Sequence, residues 1–483
     1  MENSPIFHHP LSRRSFLESS GLGTAAMATL LARSGEAAAK SDEPTHPSHF
    51  FPRAKRAICL FQSGGPSQLD MWDYKPRLEE FRGQDLPKSV LGEQRLTRMT
   101  IDQKRLPIAP SIFKFSQAGE CGTWVSSVLP NTAQVVDDIC VIRSLYTEAI
   151  NHDPGITLLQ TGSQQPGLPS IGSWLSYGLG CESQVLPAFV VLISNGSAQR
   201  PDVLPLTQRL WGNGFLEPKH QGVKFRSSGD PVLYLNDPAS LSSDSRRGLT
   251  ERIARLNRLQ YERSGDPETL ARIAQYELAF RMQSSVPELA SRSDESEATF
   301  NLYGEKSRQA GTYASNCLMA RRMIERGVRF VQLFHRGWDQ HNVLPADLSR
   351  QCGDIDQADA ALITDLKQRG MLDDTLVIWV TEFGRTVYCQ GKLQKDDYGR
   401  DHHPRSFCAW MAGGGIRGGM TYGKTDDYGY NILENPVHVR DLHATILHCL
   451  GFDHKAFTFP FQGLQQRLTG VQEEAHVLRE ILA

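Results

Sequence analysis

Carboxylate and imidazole side chains recur just beyond apolar runs that are typical of buried strands. Asp339 and His341 lie in the segment HRGWDQHN, directly after VRFVQLF, and Glu382 follows LVIWV by one residue. His402 lies further along the chain, in YGRDHHP. Because side chains two residues apart in an extended segment point the same way, Asp339 and His341 can offer an oxygen and a nitrogen to one metal ion. The pattern predicts a metal site; the competing interpretation of HRGWDQHN is a surface turn with incidental histidines.

Asp70 adds a further carboxylate, after the loop QSGGPS that follows the apolar run AICLF. With the four residues above it makes a mixed set of oxygen and nitrogen ligands, which suits zinc, manganese or calcium. Such an ion polarises an ester oxygen and stabilises charge when a phosphoryl or sulfuryl group is transferred. His402 and His403 are adjacent and do not readily face one ion together. We therefore expect His402 to be the ligand and His403 to support it or to contact substrate.

The elements that must position these groups alternate between strands and helices. Uninterrupted apolar runs fit strands that are buried on both faces, as in a parallel sheet, and such sheets bind ligands beyond the carboxyl ends of their strands. A polar stretch with helical periodicity, about 242–307, predicts an inserted helical hairpin or cap. The sequence therefore predicts an α/β fold. Its predicted strands include Ala57–Phe61, Ile139–Arg143, Ala188–Ile193, Val328–Phe334 and Leu376–Val380.

The first residues carry an export signal rather than part of the fold. The segment SRRSFL, Ser12–Leu17, matches the twin-arginine pattern, and a weakly apolar stretch and the small residues Ala37–Ala39 follow it. We expect a signal peptide at 1–39, cleavage after Ala39, a linker at 40–55, and export to the periplasm or beyond. No later segment offers about 18 consecutive apolar residues, so we expect no transmembrane segment in the mature protein.

Composition excludes several classes of function. The chain has 483 residues, 40% hydrophobic and 22% charged, as in an ordinary globular protein with ample core. A formal net charge of -2 gives no general attraction to nucleic acid, so we expect no nucleic-acid partner. The nine cysteines include no C-x-x-C pair, which argues against zinc ribbons and redox motifs.

Several motifs resemble the alkaline phosphatase and sulfatase superfamily. LDDTLVIWVTEFG is similar to a strand of that superfamily that ends in Asp-His-Gly, and VHVRDLHATILHCLGF is similar to its closing helix. Through QSGGPSQLDMWD, GWDQHN, TEFGRT, GRDHHP and GGGIRGGMTYG, the chain is identified as a member of a sulfatase-like family of twin-arginine-exported bacterial proteins of unknown function. The resemblance implies a three-layer α/β sandwich at 56–470, with a mostly parallel central sheet, the helical insertion, and a C-terminal tail at 471–483.

The chain also departs from the superfamily pattern. Glu382 and Phe383 replace the Asp-His pair at the strand tip, so one imidazole ligand is missing. HDPGITLLQTG resembles the nucleophile segment of sulfatases, with His152 at the nucleophile position and no cysteine for conversion to formylglycine. A formylglycine mechanism is therefore not expected. Thr147, His152, Thr157 or water remains a candidate nucleophile, and the alternative for His152 is an ordinary contact at a helix start.

Two functions follow from the resemblance and the candidate site. The first is an exported metal-dependent hydrolase of sulfate or phosphate esters, with Arg385 and Arg400 holding the anionic group of a small-molecule or glycan substrate. The second is a degenerate member that keeps the fold and binds an anionic glycan or a partner protein without turnover. The missing Asp-His pair favours the second function, and the clustering of polar groups after strand tips favours the first.

Overall fold

The computed structural model describes most of the chain beyond the expected signal peptide. The expected signal peptide, half of the expected linker and part of the expected helical insertion lie outside the described residues. The residues described are 48–198, 206–226, 243–264, 282, 286, 288–394 and 396–483.

Strands alternate with helices along these residues. In chain order the strands are β1 Arg56–Ser63, β2 Phe115–Ala118, β3 Thr123–Ser126, β4 Ile139–Tyr146, β5 Phe189–Ser194, β6 Val223–Lys224, β7 Phe330–Arg336, β8 Thr375–Val380, β9 Gly384–Gln390, β10 Gly399–His403, β11 Phe407–Ala412, β12 Met420–Tyr422, β13 Lys424–Thr425, β14 Ile432–Glu434, β15 Val437–His438, β16 Phe459–Phe461 and β17 Leu464–Gln466. The α-helices are α1 Gln68–Met71, α2 Lys88–Leu91, α3 His152–Thr161, α4 Ile171–Leu179, α5 Ser243–Ser264, α6 Glu297–Tyr303, α7 Tyr313–Glu325, α8 Leu344–Gln368 and α9 Val439–Cys449. The five strands predicted from apolar runs are all present, as β1, β4, β5, β7 and β8.

The central sheet is mostly parallel, which confirms the predicted α/β class. Its order is β12-β4-β11-β8-β1-β7-β5-β6, with β15 also paired to β4. β1 lies between β7 and β8 and is parallel to both, whereas β11 runs antiparallel to β4 and β8. The parallel centre suits the apolar runs, because a strand covered by helices on both faces buries every side chain.

Apolar clusters cover both faces of the sheet. In β1, Ile58 and Leu60 belong to one cluster, while Ala57, Cys59 and Phe61 belong to the other. This alternation follows from the period of two along a strand. Helices α7 and α8 pack in the first cluster, and α3, α4 and α9 pack in the second. Helix, sheet and helix thus form three layers, as the resemblance implied.

The carboxyl ends of β1, β7 and β8 meet at one edge of the sheet. The register pairs Ser63 with Arg336, and Phe61 with Val380, so the loops that follow these strands are neighbours. Gly64 allows the close approach, since a Cβ there would lie 2.7 Å from the backbone nitrogen of Asp339. A two-stranded hairpin, β9 and β10, follows the loop after β8 and pairs Arg385 with His402. The sheet edge and this hairpin hold the candidate site.

The middle of the chain is helical where it is described. Helix α5 spans Ser243–Ser264 and α6 spans Glu297–Tyr303, both within the stretch expected to form an insertion. Among the described helices, none combines the length and apolar character needed to cross a membrane.

Candidate metal centre

Ligand atoms from four side chains converge beyond the carboxyl edge of the sheet. Those of His152, Asp339, His341 and His402 all lie within 4.8 Å of one another. Asp339 Oδ1 is 2.9 Å from His341 Nε2, 3.1 Å from His152 Nε2 and 3.4 Å from His402 Nε2. The Nε2 atoms of His341 and His402 are 3.1 Å apart. Side-chain exposures of 11%, 13% and 17% for His152, Asp339 and His341 show that solvent reaches the group.

Each imidazole of this group is oriented through its other nitrogen. The Nδ1 atoms contact oxygen acceptors: Glu382 Oε1 at 2.6 Å for His152, Gln390 Oε1 at 2.6 Å for His341, and the carbonyl of Ile150 at 2.9 Å for His402. A carboxylate and a carbonyl accept hydrogen bonds, so Nδ1 carries a hydrogen, and in a neutral imidazole Nε2 then keeps its lone pair. The lone pairs and the Asp339 carboxylate therefore face one another. A bound cation would relieve their repulsion.

The separations also fit the coordination geometry of a metal ion. Tetrahedral ligands about 2.0–2.1 Å from an ion lie about 3.3 Å from one another. The measured separations among Asp339, His341 and His402, 2.9, 3.1 and 3.4 Å, are close to that value. Asp339, His341 and His402 thus fit a single divalent cation with nitrogen and oxygen ligands, and His152 Nε2 lies beside them, 3.1 Å from Asp339 Oδ1.

The pKa shifts within the group reflect burial and the closeness of these side chains. Burial lowers the pKa of His402 to about 3, so its imidazole is neutral and able to donate a lone pair. For His152, burial opposes the charged form, but the Asp339 and Glu382 carboxylates outweigh it and raise the pKa. A cation bound at His152 would therefore displace a proton from Nε2. Burial would raise the pKa of Asp339, yet Arg385 and the three imidazoles hold it well below its usual range. Positive charge is therefore favourable beside Asp339.

Glu382 lies behind His152 rather than among the converging ligand atoms. Its side chain is fully buried and accepts hydrogen bonds from the backbone nitrogen of Gly64 and the Thr381 hydroxyl, each at 2.9 Å, besides its contact with His152. Glu382 thereby connects the tip of β8, the loop after β1 and the start of α3. Carboxylates that hold a ligating histidine in this way are common beside metal ions.

Asp70 and Arg400 form a buried pair away from the four-residue group. Arg400 Nε donates to Asp70 Oδ2 at 2.8 Å, and neither side chain is exposed. Asp70 also accepts from Tyr398 at 2.9 Å and from Ser67 at 2.5 Å. The remaining donors of Arg400 bind the carbonyls of Ala109, Thr386 and Val387. The structure therefore places neither residue among the converging ligand atoms.

Arg385 is fully buried and contacts the site through Asp339. Its Nη2 donates to Asp339 Oδ1 at 2.7 Å. The other donors bind backbone carbonyls, including those of Gly64, Gly65 and Arg400. These carbonyls belong to the loop after β1 and to β10, so one guanidinium joins the segments around the site. Its donors are occupied by protein acceptors.

Some contributors to the site were not among the residues singled out from the sequence. Gln390 and the Ile150 carbonyl orient His341 and His402, and no sequence signal identifies them because the contacts depend on tertiary packing. Phe383 is fully buried against the rings of His152 and His402. From the sequence, Phe383 indicated only that the imidazole of the superfamily's Asp-His pair is missing.

The other candidates from the sequence have different surroundings. His403 turns away from the group: its Nε2 contacts the Tyr430 carbonyl at 2.8 Å, and its ring stacks on that of Tyr430. The Thr157 hydroxyl donates to the Asp153 carbonyl at 2.6 Å, within helix α3. Thr147 is buried, and its hydroxyl accepts from the Ala149 backbone at 3.2 Å.

The sequence matches the family model described as "Protein of unknown function (DUF1501)" over residues 54–482. No curated protein matches it with significant similarity.

Solved structures overlap with this chain at low identity. A protein in the alkaline phosphatase superfamily from Vibrio parahaemolyticus is 11% identical, with a TM-score of 0.35, over 91% of this chain and 77% of that chain. A sulfatase from Pseudoalteromonas sp. is 12% identical, with a TM-score of 0.31, over 94% and 76%. An alkaline phosphatase from the Antarctic bacterium TAB5 is 12% identical, with a TM-score of 0.32, over 83% and 99%. At these scores the backbones overlap only in part, so the function has to be inferred from this chain's own residues.

Proposed function

The chain belongs to the DUF1501 family of proteins of unknown function, and we propose that it is a metal-dependent hydrolase of sulfate or phosphate esters. One observation carries the proposal. Imidazole Nε2 atoms and the Asp339 carboxylate converge beside the Arg385 guanidinium, and each imidazole is held at Nδ1 by an oxygen acceptor. The residues that would hold the ion are His152, Asp339, His341 and His402.

Zinc is the ion that this set of ligands suits best. Three imidazole nitrogens and one carboxylate oxygen are usual zinc ligands, and manganese accepts a similar set. Calcium prefers six to eight oxygen ligands, which this group does not supply. We therefore propose zinc, with manganese as the alternative that metal analysis would distinguish.

The bound ion would act as a Lewis acid that polarises an ester oxygen and neutralises charge during sulfuryl or phosphoryl transfer. The protein's own part is positioning. Arg385 holds the Asp339 carboxylate, and Glu382 holds His152. Thr147 and Thr157 are buried and engaged in hydrogen bonds, so we propose that water from the solvent attacks the ester. A formylglycine mechanism is not expected, because the resemblance places His152 at the position of the converted cysteine.

The adjacent residues His402 and His403 allow a matched test. We expect purified protein to contain about one zinc ion per chain and to hydrolyse one or more aryl sulfates, phosphomonoesters or phosphodiesters. His402→Gln should lose both metal and hydrolysis, whereas His403→Gln, altered on the same strand and also buried, should keep the metal. A wild-type protein that takes up neither zinc nor manganese, and gains no thermal stability from them, would overturn the proposal.

A second candidate is a protein that binds an anionic glycan or a partner protein without turnover. It is favoured by Phe383, which stands where the superfamily pattern has an imidazole, so that one ligand of the usual metal site is missing. Metal uptake and binding of a sulfated polysaccharide, without hydrolysis of any ester in the panel, would select this candidate.

Export by the twin-arginine machinery completes the proposal. Arg13 and Arg14 supply the expected signal, and a site built from segments far apart in the chain suits a pathway that carries folded proteins. Replacing both with lysine should retain the protein inside the cytoplasm, as measured by fractionation of cells. Equal export of wild type and variant would contradict it.

A further inference from the structure

Phe383 lies against two of the imidazoles that converge on Asp339. Its ring centroid is 4.8 Å from that of His152 and 4.5 Å from that of His402, with interplanar angles of 41° and 34°. The side chain is completely buried. We propose that Phe383 is a positioning residue, which sets the planes of the His152 and His402 rings so that both Nε2 atoms face the metal. This inference rests on the metal site of the proposed function.

The ring of Phe383 lies beside two glycines. A Cβ added to Gly65 would lie 3.0 Å from Phe383 Cδ2 and Cε2, and one added to Gly155 would lie 3.4 Å from Cδ1. Gly65 belongs to the loop after β1, and Gly155 belongs to the first turn of α3. Glycine at both places brings the backbone close to the aromatic ring. Because the side chain is completely buried, close packing restricts the ring, and it makes a firm surface for the imidazoles.

A second restraint on the imidazoles is needed because one hydrogen bond does not fix a ring plane. The contact at Nδ1 holds one edge of His152 or His402, and the ring can still tilt about that contact. Ligation requires the Nε2 lone pair, which lies in the ring plane, to point at the ion. Packing against Phe383 opposes the tilt of both rings. It also excludes water from that side of the group.

Replacing Phe383 separates this role from general packing. Phe383→Leu keeps an apolar side chain but removes the flat ring, so we expect the zinc dissociation constant to rise about 10- to 100-fold. In protein loaded with Co²⁺, the absorption bands of the metal should shift, since they report ligand geometry. The matched control is Phe334→Leu in β7, where an equally buried ring packs on Phe61 and Trp211 away from the site. It should lower thermal stability comparably and leave metal affinity and the Co²⁺ spectrum unchanged.

The outcomes of this experiment are distinguishable. Weaker zinc binding and an altered spectrum in Phe383→Leu alone would support the positioning role. Unchanged binding in Phe383→Leu, or equal weakening in Phe334→Leu, would overturn the role and leave the proposed function intact. A wild-type protein that binds neither Zn²⁺ nor Co²⁺ would overturn both.

Discussion

Glu382 Oε1 lies 2.6 Å from His152 Nδ1, across 230 residues of sequence. The pair joins the tip of β8 to the first residue of α3, and Glu382 is fixed from behind by the Gly64 backbone and the Thr381 hydroxyl. A carboxylate at this strand tip can act on a metal ion without touching it. It holds the imidazole in one tautomer and leaves Nε2 free to bind.

Removing the charge of Glu382 should weaken metal binding. Glu382→Gln keeps an oxygen that can accept from His152, but it loses the ionised carboxylate that makes the imidazole a stronger ligand. We expect about a 10- to 100-fold rise in the zinc dissociation constant, measured by competition with a chromophoric chelator. Glu148 is the matched control, since it contacts His438 at 2.7 Å outside the site. Metal affinity in Glu148→Gln should equal that of wild type; a loss as large as that of Glu382→Gln would contradict the assignment.

Asp70 should matter for stability and not for the metal. Its carboxylate pairs with Arg400 in a fully buried setting, and breaking a buried pair leaves one charge uncompensated. For Asp70→Asn we expect the free energy of unfolding to fall by about 3 kcal/mol, measured by urea denaturation of the metal-free protein. The zinc dissociation constant should stay within about threefold of wild type, since no ligand is removed. A large loss of metal affinity in a variant that remains folded would contradict this prediction and would indicate that Asp70 is a metal ligand after all.

Buried neutral histidines should make the protein sensitive to acid. Burial lowers the pKa of His443 to about 4, and in the unfolded chain a histidine titrates near 6.5. Between these values the unfolded state binds the extra proton, so the free energy of unfolding falls as the pH falls. The loss from this residue is about 3 kcal/mol once the pH is below 4. His443→Gln can preserve the donor to the Leu159 carbonyl, and it should flatten the pH dependence measured between about pH 6.5 and 4. The same slope in wild type and variant would refute this.

Sequence patterns predicted the sheet and the edge at which the site lies. They did not predict the side-chain contacts within the site. The apolar run of β8 and the polar residues beyond it were enough to place Glu382 at a strand tip. They did not distinguish a metal ligand from a residue that holds a ligand, because that depends on where α3 places His152. Arg385 shows the same limit. Because Arg385 follows Glu382 by three residues, the sequence suggested that it pairs with a carboxylate or binds an anion. In the fold, its guanidinium instead donates to the carbonyls of Gly64 and Gly65, about 320 residues earlier in the chain.

Gly64 provides a test of how closely the loops after β1 and β7 must approach. Its φ is +124°, and a Cβ there would lie 2.7 Å from the nitrogen of Asp339 and 2.8 Å from the carbonyl carbon of Trp338. Gly64→Ala should therefore push the Asp339 loop outward and disturb the N–H that holds Glu382. We expect metal binding to be lost or reduced at least 100-fold, because the Asp339 ligand and the hydrogen bond to Glu382 are disturbed together. The same chelator competition would measure this.

Gly83 separates this clash from backbone strain alone. Its φ is +74°, also in the region that favours glycine, but a Cβ there would meet nothing within 4 Å. Gly83→Ala should cost about 1 kcal/mol of stability, as left-handed backbone does for an L-residue, and leave zinc affinity unchanged. Equal zinc affinity in Gly64→Ala and Gly83→Ala would contradict the prediction. It would mean that Asp339 is not positioned by close packing of the loops after β1 and β7. A difference confined to Gly64→Ala would show that the metal site depends on glycine at the tip of β1.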